Sequence, residues 1–275
     1  MTIRFKLIIA AGALLAMNAS LAQTEVSDAE DSTEVLKVAA LEALISAPPE
    51  RALPLVIKVL DGNNTDEVKE RALFVLSQID LPEAQARLLD IARSGDSELS
   101  SEAVRMIGIG GNAEALAGLQ GLYNSGDENL REAVLQAYMI AGDVDAVFAV
   151  AESASDAEEF ENAVEMLGVM GAVDKLQALS ESSGFTEELI QALGIAGGDD
   201  VNATLMEIYR SAETDDIRHA ALEGMLISGY DDGVLELYKE STDAREKRDL
   251  LQMLAIMDSD AMMEVIDAAL EGGDQ

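Results

Sequence analysis

Clusters of carboxylates recur in short polar segments of this sequence, and such clusters could bind cations or serve as acid–base pairs. The segments are GDVD (142–145), GGDD (197–200), YDDG (230–233) and DSD (258–260). A helix–loop–helix calcium site needs a glycine at its sixth position and a glutamate at its twelfth. The best match, 61–72, has Asp66 and Ala72 at those positions. We therefore predict no dedicated metal site, and weak binding of several divalent cations stays open.

Side chains for covalent or metal-assisted catalysis are scarce. His219 is the single histidine, and the chain contains no cysteine, so neither a zinc ligand set nor a nucleophilic triad can be assembled from these residue types. The glycine-rich segment 108–114 follows a predicted helix and lacks the lysine and hydroxyl of a phosphate-binding loop. From these absences we expect no enzyme, no catalytic residue and no cofactor.

The charge balance limits the classes of partner. The chain carries 53 acidic and 18 basic residues, a formal net charge of −35. Such a chain repels phosphate backbones and anionic headgroups, which argues against nucleic acid and membrane surfaces. A protein or peptide partner with basic residues, or divalent cations, fits this charge better. The alternative is that the acidic residues only keep the protein soluble.

The first residues resemble an export signal. Arg4 and Lys6 precede an uninterrupted apolar run at 7–17, and small residues follow up to Ala22. This run is too short to span a bilayer, which takes about 20 residues, so we predict a signal peptide over 1–22 that is cleaved after Ala22. A buried N-terminal helix is the alternative. We expect a periplasmic or secreted protein of a Gram-negative bacterium, with an acidic leader at 23–33 and no membrane insertion after cleavage.

Apolar residues recur with a period of about 30 residues, which is typical of a repeat array. A first set of marks stands seven positions before each predicted helix end: Leu41, Leu73, Val104, Leu135, Val164, Ile190, Leu222 and Leu251. A second set closes an L-x-x-L pattern in the following helix: Val59, Ile91, Leu122, Val150, Leu179, Ile208, Leu237 and Val265. Five predicted helix ends are glycines that suit a left-handed backbone: Gly111, Gly142, Gly171, Gly197 and Gly229. We predict one all-α domain over 34–271, followed by a frayed end at 272–275.

Three segments carry a resemblance to a known family. They are DENLREAVLQAYMIAGD (127–143), DDIRHAALEGMLISGYD (215–231) and DEVKERALFVLSQID (66–80). Their pattern resembles the HEAT repeat, in the short bacterial form of phycobilisome-lyase-type HEAT-like repeats. The resemblance implies a right-handed α-solenoid of about eight two-helix repeats, whose second helices line a concave face.

A candidate binding surface follows from that implied concave face. Three tyrosines stand directly after the L-x-x-L marks of the second helices: Tyr123, Tyr209 and Tyr238. Tyrosine combines a large contact area with a hydroxyl and is enriched at binding hot spots. Charged residues of both signs lie beside them: Glu207, Arg210, Glu236 and Lys239. The alternative is that the rings pack between neighbouring repeats with only the hydroxyl in water.

The functional hypothesis is an exported, non-catalytic scaffold or adaptor that binds a protein through this surface. Two alternatives stay open at this point. The first is a ligand-handling or lyase-like enzyme, which the family resemblance implies. The second is an acidic protein that binds cations or acts as a spacer.

Overall fold

The computed structural model describes residues 33–94, 97–257, 262–263 and 265–266. The predicted signal peptide, the leader up to residue 32 and the end at 272–275 lie outside the described residues. Within these ranges the chain forms fifteen helices up to Ile256, further helical residues at 262–263 and 265–266, and no strand. The prediction of an all-α fold is confirmed.

The helices follow one another through short turns. Their bounds are α1 (33–44), α2 (Pro49–Leu60), α3 (Asp66–Ser77), α4 (Pro82–Ser94), α5 (Ser97–Gly110), α6 (Ala113–Ser125), α7 (Glu128–Ala141), α8 (Val144–Ser153), α9 (Ala157–Val169), α10 (Val173–Ser183), α11 (Glu187–Ala196), α12 (Asp199–Ser211), α13 (Asp215–Ser228), α14 (Asp231–Glu240) and α15 (Ala244–Ile256). Odd-numbered helices are the first members of the predicted pairs, and even-numbered helices are the second members.

Short polar residues begin many of these helices, because the first turn has N–H groups without a partner in the helix. The Asn112 side chain accepts hydrogen bonds from the N–H groups of Glu114 and Ala115 at 3.1 and 3.0 Å. Side chains at six later helix starts accept in the same way: Asp127, Asp143, Asp156, Thr186, Thr214 and Asp243. Polar residues therefore set where these helices begin.

The five glycines predicted at helix ends all have positive φ, between 63° and 72°. Gly229 shows the geometry most fully. Its backbone is left-handed, and the N–H of Tyr230 then donates to the carbonyl of Met225 at 2.8 Å. This bond satisfies a carbonyl at the end of α13, as expected for a glycine-terminated helix.

The two sets of apolar marks form the core. In the first helices every mark is buried except Leu251, which is half-buried. In the second helices six marks are buried, while Val59 and Ile91 are half-buried. The residues that recur with the predicted period therefore form the packed interior of the helix pairs.

Two compact units are distinguished, one up to Ala137 and one from Tyr138 onward. The boundary falls inside α7 and not in a linker. The assignment of 34–271 to one domain stays a prediction.

Small residues bring first helices of the second unit into backbone contact. A Cβ atom on Gly168 would lie 2.6 Å from the carbonyl oxygen of Ala192 in the next first helix. A Cβ atom on Gly194 would lie 2.8 Å from both the Cα and the carbonyl oxygen of Gly224. These glycines therefore set how closely α9, α11 and α13 approach one another.

Across the described part of the chain, no helix combines the length and apolar character needed to cross a membrane.

Candidate functional site

A cleft of about 1130 Å³ lies in the second unit, at the ends of helices α12 to α15. The last turns of α12 and α14 form one part of its wall. The first turns of α13 and α15 form another. Consecutive helices run in opposite directions, so the ends of second helices and the starts of first helices meet at the same edge of the array.

Helix starts concentrate carboxylates in this cleft. Asp215 and Asp216 open α13, and Asp243 caps α15 by accepting from the N–H groups of Arg245 and Glu246 at 2.8 and 3.0 Å. These hydrogen bonds from Glu246 and Arg245 lower the pKa of Asp243 below its ordinary value. The positive end of the helix dipole favours carboxylates at these helix starts.

A group of hydrogen-bonded side chains at the cleft wall joins α12, α15 and the loop between α14 and α15. The Tyr209 hydroxyl donates to Oε1 of Glu246 at 2.8 Å, and the Ser241 hydroxyl donates to Oε2 of the same residue at 2.6 Å. Burial of the Tyr209 ring, and then its hydrogen bond to Glu246, raise the pKa of Tyr209 above the ordinary range. Tyr209 therefore remains a neutral donor that fixes Glu246.

Two of the three arginines that line the cleft are paired with carboxylates of the chain. Arg210 reaches Glu236 at 2.7 Å and Glu240 at 2.9 Å, and these hydrogen bonds, that to Glu236 first, raise the pKa of Arg210. Arg218 contacts Asp215 at 2.6 Å and donates to the carbonyl of Ala212 at 3.1 Å. Eight carboxylates and three arginines line the cleft, so its charge is negative after these pairs are formed.

His219 does not build a metal site. Its side chain is 69% exposed, and its Nε2 lies 3.3 Å from Glu223, one turn away in the same helix. Among the residues that the structure describes, no group of three or more histidine, aspartate or glutamate side chains is placed to hold a metal ion.

The structure places the predicted binding residues in different surroundings. Tyr123 and Tyr209 are buried, with 6% and 5% of their surface exposed, as in the alternative in which the rings pack between repeats. Tyr238 is half-buried, and the ammonium of Lys247 lies 5.1 Å from its ring centroid. Tyr123 belongs to the first unit and the other two tyrosines to the second. A partner-binding role for these tyrosines stays a prediction.

The four predicted charged residues are all exposed: Glu207, Arg210, Glu236 and Lys239. The structure joins two of them, because Arg210 bonds Glu236 across the two second helices α12 and α14. Arg210 also lines the cleft. Their binding role likewise stays a prediction.

Sequence reasoning missed Glu246 and Ser241. The spacing Asp-x-x-Glu at 243–246 is a capping-box pattern that predicts a helix start. That pattern gives no sign that the carboxylate of Glu246 receives a hydroxyl from Tyr209, which lies 37 residues earlier.

Comparison with known proteins gives distant structural likenesses. No family model and no curated protein matches the chain. The complex of CpcE and CpcF of phycocyanin lyase from Nostoc sp. is similar over 81% of this chain and 93% of its own, with 20% identity and a TM-score of 0.36. Human deoxyhypusine hydroxylase in complex with glycerol is similar over 81% and 97%, with 15% identity and a TM-score of 0.33.

Helix pairs with buried marks and glycine turns recur at the predicted period within this chain. The chain is therefore a helical repeat array, which agrees with the resemblance drawn from the three quoted segments. Membership of the HEAT-like family stays a prediction.

The expectation that the chain is not an enzyme is corrected. Both solved structures bear the names of enzymes, a lyase and a hydroxylase. A repeat array can gather polar side chains from helices far apart in sequence, and such a set leaves no short motif. The missing motifs therefore do not exclude catalysis.

Proposed function

We propose that this chain is a protein-binding HEAT-like repeat protein whose second-unit cleft accepts a basic, extended segment of a partner. The excess of carboxylates over arginines in the 1130 Å³ cleft is the observation that carries the proposal. Arg210 and Arg218 already have carboxylate partners, and the eight carboxylates outnumber the three arginines, so a bound lysine or arginine meets the remaining negative charge.

The chemistry of the cleft favours a peptide over a small apolar ligand. Many of its charged side chains stand near helix ends, where caps and ion pairs hold them in place. A peptide backbone with cationic side chains can bond to several such carboxylates in succession. Complementary charge mainly accelerates association and selects the partner, and salt weakens it.

The proposal includes an exported protein that acts in the periplasm or outside the cell. The basic start, the apolar run at 7–17 and the small residues up to Ala22 support this location. It also includes a right-handed solenoid of about eight repeats, as the resemblance implies. Nucleic acid is not a proposed partner because of the net charge of −35.

The test measures binding of a labelled peptide of alternating lysine and serine, with a glutamate–serine peptide as the charge control. The double variant Glu187→Gln with Asp216→Asn removes two exposed cleft carboxylates from the first turns of α11 and α13. At about 1 kcal/mol for each nearby charge pair in water, its affinity for the lysine peptide should fall about tenfold or more.

A matched control keeps the change in net charge and the helix position but leaves the cleft. Glu83→Gln with Glu128→Gln removes two exposed first-turn carboxylates of the first unit. This control variant should lower the affinity for the lysine peptide by less than about twofold. Equal weakening by the two double variants would show general attraction to an acidic surface and would remove the cleft from the proposal.

A further inference from the structure

Six successive first helices expose an aliphatic side chain at one equivalent position, five residues after the apolar mark of the first helix. In the first unit this residue is Ile109. In the second unit we name the residues at this position the turn-edge stripe: Ile140, Val169, Ile195, Ile227 and Ile256. Three of the helices that carry them, α9, α11 and α13, pack directly on one another in chain order. The exposed fractions of the six side chains range from 39% to 67%.

Neither the helix nor the core requires an aliphatic residue at this position. After α3 the equivalent residue is Gln78, which directly follows the helix and is exposed, so the repeat accepts a polar side chain there. Isoleucine and valine also have lower helix propensity than alanine or leucine. Single exposed apolar residues are common on protein surfaces. Five in the same register of consecutive repeats are better explained by a surface that something covers.

Exposed carboxylates accompany the stripe at a fixed spacing. Five residues after four of its members, in the first turn of the following second helix, stand Asp145, Asp174, Asp200 and Asp232. The helix dipole accounts for an acid at each of these helix starts, and Asp145 is paired with Lys175 at 2.7 Å. Their placement nevertheless surrounds the aliphatic row with negative charge at the turn edge of the repeats.

That charge selects the kind of molecule that can cover the stripe. A second copy of this chain would bring carboxylates against carboxylates, because both copies carry the same edge. An anionic lipid surface is repelled in the same way. An amphipathic segment with aliphatic residues on one face and lysine or arginine on its borders satisfies both features.

We propose that the turn-edge stripe docks a basic amphipathic helix of a partner protein. Packed helices lie about 8–10 Å apart, and residues seven apart on a helix are about 10.5 Å apart at 1.5 Å per residue. On the packed helices α9, α11 and α13, a partner helix with one aliphatic residue per heptad therefore meets about one stripe residue per repeat. A peptide of four heptads covers these three positions and extends beyond them on both sides.

This surface is separate from the cleft. The stripe lies at the C-terminal ends of the first helices, whereas Asp215 and Asp216 bring the N-terminal end of α13 to the cleft. A 14-residue helix such as α13 is about 21 Å long. The docking inference therefore does not depend on the proposed peptide-binding cleft, and variants at the two surfaces can be tested independently.

The experiment titrates the full chain into a labelled four-heptad peptide with leucine on one face and lysine on its borders. A second peptide carries glutamate in place of lysine. The double variant Ile195→Gln with Ile227→Gln should lower the affinity for the lysine peptide by about tenfold or more. Each substitution removes an isoleucine side chain of which the docked peptide would bury roughly half. Glutamine is the residue that the chain itself uses at position 78, so a cooperative unfolding curve like that of the parent is expected.

Two controls locate the effect. Leu36→Gln with Leu55→Gln removes two comparably exposed aliphatic side chains of the first unit that do not belong to the stripe, and it should change the affinity by less than about twofold. The cleft variant Glu187→Gln with Asp216→Asn should also leave most of this affinity intact.

Several results would overturn the docking proposal. The stripe variant could bind the lysine peptide as tightly as the parent does. The Leu36 and Leu55 variant could lose as much affinity as the stripe variant. The parent could also bind the glutamate peptide as tightly as the lysine peptide. A dimer in sedimentation that the stripe variant abolishes would assign the stripe to a second copy. Stripe-dependent flotation with phosphatidylcholine vesicles would assign it to a membrane. Much tighter peptide binding by a chain that begins at residue 23 would show that the chain's own N-terminal segment covers the stripe.

Discussion

Replacing Gly194 by alanine tests whether the backbones of two first helices touch in the second unit. The new Cβ atom would lie 2.8 Å from the Cα and the carbonyl oxygen of Gly224 and 3.2 Å from its carbonyl carbon. All three are backbone atoms, so no side-chain rotation can relieve the contact. Helices α11 and α13 would have to separate.

The magnitude follows from two opposing effects. Carbon atoms pack at about 3.5–4.0 Å, so the two helices must move apart by roughly 0.7–1.2 Å. Overpacking of this kind costs about 1–3 kcal/mol, and alanine returns at most about 1 kcal/mol through its higher helix propensity. We expect Gly194→Ala to lower the free energy of unfolding by about 1–2 kcal/mol.

Gly121→Ala supplies the matched control. Gly121 lies inside α6, and no atom would come within 4 Å of a Cβ atom there. This variant has the helix-propensity gain without the contact, so its free energy of unfolding should rise by up to about 1 kcal/mol. The two substitutions are chemically identical, and the structure predicts opposite signs.

Urea unfolding followed by far-ultraviolet circular dichroism measures both free energies under one set of conditions. Thermal midpoints should move in the same directions, by about 2–4 °C for each kcal/mol in a chain of this size. If Gly194→Ala were as stable as the parent while Gly121→Ala rose as expected, the close approach of α11 and α13 would be refuted.

Two further predictions concern a helix cap and a buried phenol. Asn112→Ala should lower the free energy of unfolding by about 1 kcal/mol because two N–H groups of α6 lose their acceptor; Asn112→Asp keeps an acceptor and should remain within a few tenths of the parent, and equal urea midpoints for the two variants would contradict the cap. Burial, and then the nearby Asp143, raise the pKa of Tyr138 to about 12 from an ordinary value of 10.0. Because the folded pKa lies above the unfolded one, the stabilising contribution is complete below pH 10 and is lost as the pH rises towards 12. The free energy of unfolding measured between pH 9 and 11 should therefore fall more steeply in the parent than in Tyr138→Phe, and parallel pH curves would show that Tyr138 does not titrate late.

The sequence by itself determined the repeat and its helices. Helix pairs recur because the apolar marks return with the period of one pair, and residues such as Leu73 and Ile190 are buried as that period requires. Turns such as the one at Gly229 were predictable because few other residues accept a left-handed backbone at low cost. These features depend on local backbone preferences and on the recurrence of apolar residues on one face of each helix. Both are encoded by residues that are close together in the sequence.

Only the tertiary structure decided which side chains meet and which remain in water. Tyr209 reaches Glu246 37 residues later, and Arg210 reaches Glu240 30 residues later. The exposure of Ile227 beside the buried Met225 likewise depends on which face of α13 its neighbours cover. Three apolar residues in succession at 225–227 look equivalent in the sequence. The direction of each helix and the closeness of its neighbours separate them, and these are set by contacts between residues far apart in the chain.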